Sequence, residues 1–125
     1  MHKTMQDYVA DAKAATGTIA PTEAHASGGV ILDVREAHEL AESGEIADAV
    51  HIPRGFLEAK ADPTAQSAHP PLTRAHGGET PVYVLCASGA RAALAAKTLA
   101  EMGYEAKPIE GGLKSWCDCG LPLKD

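Results

Sequence analysis

Val82-Tyr83-Val84-Leu85 is a β-branched, aromatic and apolar run opened by Pro81, and only a few small residues separate it from an alanine-rich segment ending at Gly103. The run reads as a buried strand begun by a residue with no ladder N–H to give. Ala92 to Met102 reads as a helix, with Leu94, Leu99 and Met102 near one face and Gly103 as its stop. A strand handed so abruptly to a helix is half of a βα unit. The rest of the chain supplies further units of the same kind. Val30 to Val34 reads as a strand covered on both faces, followed by a helix over Glu36 to Ser43 that ends at Gly44. Ala49 to Pro53 and Glu105 to Ile109 read as two more strands, and Thr18-Ile19-Ala20 as a short edge strand. Thr4 to Ala14, Pro21 to Ser27, Phe56 to Lys60 and Leu113 to Cys117 fit helices. Strands alternating with helices imply an α/β fold, three layers deep, with a mainly parallel sheet of about five strands between helices. Ala61 to Thr80, rich in proline, glycine and polar residues, reads as a long surface connection.

Between strand and helix stand Cys86, Ala87, Ser88, Gly89, Ala90 and Arg91. Such folds bind ligands beyond the carboxyl ends of their strands, which is where Cys86 falls. The small residues let the loop curl so that its N–H groups form an anion-binding nest. With the helix dipole, these groups are expected to make the thiol ionise more readily than free cysteine, whose pKa is about 8.5. Arg91 adds a fixed positive charge and a fork of donors.

Cys-x-x-Gly-x-Arg after a strand resembles the active-site loop of the rhodanese-like sulfurtransferases. Leu32-Asp33-Val34-Arg35-Glu36, His51-Ile52-Pro53, and Glu110 to Trp116 with Gly120-Leu121-Pro122 resemble further segments of that family in the same order. The resemblance covers roughly Thr18 to Leu123. It implies a rhodanese-like domain over 18–125; the helical pattern before it makes 1–17 an expected N-terminal extension packed on that domain. The resemblance also implies a covalent cycle. The Cys86 thiolate takes the outer sulfur of thiosulfate or a persulfide, and a nucleophilic acceptor then removes it: cyanide, a thiol or a sulfur-accepting protein. Ala87, Ser88, Gly89, Ala90 and Arg91 would hold that sulfur. Arg91 either binds the donor's anionic end or closes the loop through backbone or carboxylate bonds. Asp33 and Arg35 are expected to form a supporting ion pair, because buried charges require partners. His51 is expected to be structural. The family's usual Gly-His-Ile stands here as Gly44-Glu45-Ile46, so whatever contact that histidine makes is lost or reversed in charge.

The remaining sequence restricts the alternatives. A net charge of −6 argues against nucleic acid as a partner. An odd count of three cysteines gives no disulfide framework and suits a reducing compartment. Cys117 and Cys119 are expected to be incidental thiols. His69 and His76 lack neighbouring ligands at metal spacing, and neither a metal nor a cofactor is expected. No signal-peptide or membrane-spanning pattern is present, which makes the cytoplasm the default. Two rival functions stay open. One is a binding or regulatory module on the same fold without turnover. The other is a cysteine-dependent phosphatase or arsenate reductase-like enzyme, whose Cys-to-Arg loop is one residue longer than the four-residue span found here.

Overall fold

The computed structural model describes all 125 residues. Four strands form one parallel sheet: β1 (Val30–Asp33), β2 (Val50–His51), β3 (Val82–Leu85) and β4 (Ala106–Pro108), in the order β2-β1-β3-β4. The helices are α1 (Met5–Thr16), α2 (Pro21–Ser27), α3 (Ala37–Ser43), α4 (Leu57–Ala61), α5 (Pro70–Thr73), α6 (Ala90–Glu101) and α7 (Gly112–Asp118), with one 3₁₀ turn at Arg54–Phe56.

The expected fifth strand is reduced to a single residue. Ile19 bridges Ile109 in parallel, taking a bond from Glu110 N–H and giving one to Pro108 O. Gly17, with φ of +74°, precedes it, and Pro21 starts α2 just after. Too few residues lie between these two for a strand to propagate. The Ala61–Thr80 connection also differs from the sequence reading. It contains α5, and it sends Leu72 and Ala75 into the core at 0% and 1% exposure. His76 is not simply solvated either: its Nε2–H donates to Met102 O at 2.7 Å, and its ring meets Tyr104 edge-on.

The sheet has a core on each face. On one, Leu32, Val34, Val82 and Val84 pack with Leu57, Leu72, Ala92, Ala96 and Leu99. On the other, Leu85, Ile109, Leu113 and Trp116 pack with Ala24 and Ile46. Alanine on the inner face of α6 lets that helix sit close to the strands. α1 in turn lies against α6 and β4. Its start is fixed by a capping box, in which the Thr4 hydroxyl accepts from Asp7 N–H while the Asp7 carboxylate accepts from Thr4 N–H.

The last residues fold back over the second core. The Trp116 indole N–H donates to Pro122 O at 3.0 Å, and Lys124 N–H donates to Glu45 O at 2.7 Å. Glu45 therefore serves through its carbonyl, while its carboxylate faces Lys124 Nζ across 3.4 Å at the surface. No helix is long and apolar enough to cross a membrane.

Candidate functional site at the Cys86 loop

The chain passes from β1 to β2 on one side of the sheet and returns to β3 on the other. β1 and β3 are direct neighbours, with Asp33 opposite Leu85. The crevice where strand order reverses is the usual ligand position in an open parallel sheet. Cys86 follows Leu85 there and Arg35 follows Asp33, so two segments far apart in sequence emerge side by side.

Gly89 turns the chain from β3 into α6 with φ of +115°, a value that L side chains rarely adopt. Its N–H points back at the Cys86 Sγ, 3.0 Å away, and the Ala92 N–H points at the same atom from 3.3 Å. α6 has no side-chain cap of its own, since its first flanking residue is glycine. The sulfur occupies that place, accepting from the third N–H of the helix as a capping oxygen would. The positive end of the α6 dipole faces Sγ as well. Of the loop residues expected to ring the sulfur, Gly89 thus directs its N–H at Sγ. Ala87, Ser88, Ala90 and Arg91 make no such bond, and the second donor, Ala92, lies one residue beyond them. Cys86 is 1% exposed beneath this loop.

A second glycine sets the other wall. Gly112 has φ of +61°, and a Cβ on it would sit 2.4 Å from Cys86 O and 2.6 Å from Ala87 O. Its bare backbone lets the start of α7 reach the loop, where Leu113 N–H donates to Cys86 O at 2.8 Å. This bond fixes the carbonyl of the peptide after Cys86 against the start of α7.

Arg91 closes the loop onto a carboxylate. Its guanidinium holds Glu39 in a bidentate pair at 2.6 and 2.9 Å, joining the start of α6 to α3. The Arg91 hydrogen bond holds the Glu39 carboxyl down at about 2, well below its usual 4.5. The same pair raises Arg91 further above its already high value. Glu39 escaped the sequence reading because its partner lies 52 residues away; its visible signal was the Glu-x-x-Glu start of α3, where Glu36 N–H donates to Glu39 Oε1.

Asp33 and Arg35 are each 1% exposed and bound to one another. Asp33 accepts from Arg35 N–H, Nε and Nη2 at 2.8–3.1 Å. Arg35 Nη2 also reaches Gly44 O at 2.9 Å, and His51 Nε2–H donates to Arg35 O at 2.7 Å. Every nearby buried side-chain polar atom has a partner. This network fixes the ends of β1 and β2 and the end of α3 beside the Cys loop. Cys117 and Cys119 are free and exposed. No group of three or more His, Cys, Asp or Glu side chains could hold a metal ion.

Two hollows border the loop. One, of about 320 Å³, has walls from Ala87, Arg35, Glu39, Ser43, Lys114 and Cys117. The other, of about 380 Å³, lies between the loop and α1. Cys86 itself lines neither.

The rhodanese-like domain model matches residues 18–119. Over 89 residues, 70% of its length, the chain is 32% identical to the adenylyltransferase and sulfurtransferase MOCS3 of Oryza sativa subsp. japonica, of which the match spans 20%. Among solved structures, the polysulfide-sulfur transferase of Wolinella succinogenes superposes with a TM-score of 0.69 at 34% identity, covering 94% of this chain and 84% of that one. A protein of Rhodopseudomonas palustris described as a possible tyrosine phosphatase superposes with a TM-score of 0.87 at 30% identity, covering 99% of this chain and 96% of that one. The parallel sheet, the Cys loop at its switch point and the matched 18–119 span agree: this chain belongs to the rhodanese-like domain family.

Proposed function

We propose that the protein is a sulfurtransferase that carries a sulfane sulfur on Cys86. The observation that supports this best is the pair of main-chain N–H groups on Sγ, at 3.0 and 3.3 Å, with no acid beside them to protonate what they hold. Donors fixed in place before the reaction stabilise charge without reorganising. With thiosulfate, the Cys86 thiolate bonds to the outer sulfur and the donor's S–S bond breaks. Sulfite leaves with the bonding pair, and an anionic persulfide stays on Cys86. Cyanide or a thiolate then bonds to the terminal sulfur, and the Cys86 thiolate returns as leaving group. Each step transfers neutral sulfur, and no external oxidant or reductant enters. Because Cys86 is 1% exposed, this reading requires the loop rim to open to the donor's terminal sulfur.

Arg91 then acts as the clasp of the loop rather than as the donor's anchor, because both ends of its fork are on Glu39. The same bond weakens the phosphatase reading, which the name of the Rhodopseudomonas protein raises. A phosphate cradle needs a free arginine, and here four residues between Cys86 and Arg91 leave room for one atom rather than a tetrahedral ion. Three free cysteines suit a reducing compartment.

Intact-mass spectrometry after thiosulfate treatment tests the reading. A gain of about one sulfur mass, absent in Cys86→Ser, supports it. An unmodified wild type favours a binding module. Cys86-dependent hydrolysis of an aryl phosphate by that unmodified protein favours the phosphatase.

A further inference from the structure

The charges around the Cys loop are nearly all spoken for. Arg91 is bound by Glu39, Arg35 by Asp33, and Lys114 by Asp118. Lys13 is the exception. It stands in the last turn of α1, exposed and without an ion pair or side-chain hydrogen bond, on the wall of the 380 Å³ hollow. Met5, Val9 and Ala10 supply the apolar side of that hollow, and Ser88 and Ala90, on either side of Gly89, supply the loop side. Met5 is 65% exposed, an apolar side chain with little to cover it. All five α1 residues of the lining, Gln6 included, precede the span that the family model matches.

The chemistry of the hollow differs from what an inorganic donor needs. Its volume lies in the range that accommodates small organic molecules. Its lining is mostly apolar, and its one free cation sits on a chain of net charge −6 that otherwise repels anions. We propose that the hollow between α1 and the Cys loop is a donor-selectivity site, which holds the body of a small organic persulfide while Lys13 binds that donor's carboxylate. This rests on the sulfur-transfer reading of Cys86. The Cys86 thiolate bonds to the terminal sulfur of R–S–SH, the S–S bond breaks, and R–S⁻ leaves with the bonding pair. The terminal sulfur gives up its proton to solvent and stays on Cys86 as the anionic persulfide, held by the Gly89 and Ala92 N–H groups. The leaving thiolate's body stays in the hollow, between α1 and the loop.

Glutathione persulfide and its dimethyl ester serve as probes, because they differ in carboxylate charge and share the S–S bond. The readout is the ratio of kcat/KM for acid over ester, measured by loading of Cys86. Wild type should favour the acid by about threefold, the size expected of an exposed ion pair. Lys13→Gln should bring the ratio near one. Lys3→Gln is the control: Lys3 stands just before α1, outside the hollow's lining and paired with Asp11, and its loss should leave the ratio as in wild type. A wild-type ratio near one, a ratio that survives Lys13→Gln, or an equal fall in Lys3→Gln overturns the proposal. If thiosulfate still loads Cys86 in those cases, the sulfur-transfer reading stands and only the selectivity site is lost. If no donor loads Cys86, both fail.

Discussion

Removing the carboxylate of Asp33 would leave a guanidinium stranded beneath the sheet ends. Arg35 is 1% exposed and gives four hydrogen bonds to Asp33, and only carbonyls, Gly44 O at 2.9 Å and Glu39 O at 3.5 Å, remain for it otherwise. Breaking one side of a buried pair costs about 3–5 kcal/mol, chiefly because the remaining charge is unsolvated. Unfolding entropy near 2.1 cal/mol/K per residue gives about 0.26 kcal/mol/K for 125 residues. Asp33→Ala should therefore lower Tm by about 11–19 °C, with a matching fall in the urea midpoint. The double variant Asp33→Ala with Arg35→Met removes both charges and their desolvation. It should recover at least about 2 kcal/mol of what Asp33→Ala loses, since apolar replacement of a whole buried pair is often near neutral. Thermal scans and urea titrations of the four proteins form the cycle. A cost for Asp33→Ala below about 1 kcal/mol, or a double variant as unstable as the sum of the singles, would refute the reasoning.

Two further outcomes follow from the loop. Glu39 is held near 2 in the folded chain against 4.5 ordinarily, so its pairing stabilises above about pH 4.5 and that contribution is lost as pH falls toward 2. Glu39→Gln should cost about 1 kcal/mol at pH 7, a modest figure because the Arg91 side chain is 38% exposed, and the gap should close by pH 2; a gap unchanged across that window in urea titrations contradicts it. Gly112→Ala places a Cβ 2.4 Å from Cys86 O at a φ of +61° and should slow sulfur loading of Cys86 by about tenfold or more, whereas Gly55→Ala, with nothing within 4 Å, should not; equal loading rates would show that the α7 contact does not set the loop.

Local pattern carried much of the architecture. The apolar runs at Val30–Asp33 and Val82–Leu85 appear as β1 and β3, and Pro21 to Ser27 is a helix with the bounds its proline and following glycine suggest. The Asp33–Arg35 pair was legible because two charges beside an apolar run have to be neutralised together. Long-range partners were not. Nothing local to Glu39 points to Arg91, and nothing local to Ala92 says that its N–H will reach a sulfur six residues earlier. Leu72 and Ala75 are single apolar residues among prolines and polar groups, too sparse for a periodicity, yet they close the core over α4. The hollow beside α1 depends on two segments more than 70 positions apart, which no spacing rule connects.

The groups that touch the sulfur at 3.0 and 3.3 Å belong to the main chain, not to side chains. The sulfur's surroundings are thus written in torsion angles, and ordinary mutagenesis at positions 87, 88 or 90 edits their scaffolding without deleting a contact. The direct edit is a depsipeptide: semisynthesis with an ester in place of the amide at Gly89 or Ala92 would subtract one hydrogen from the sulfur's surroundings and leave every side chain as it was.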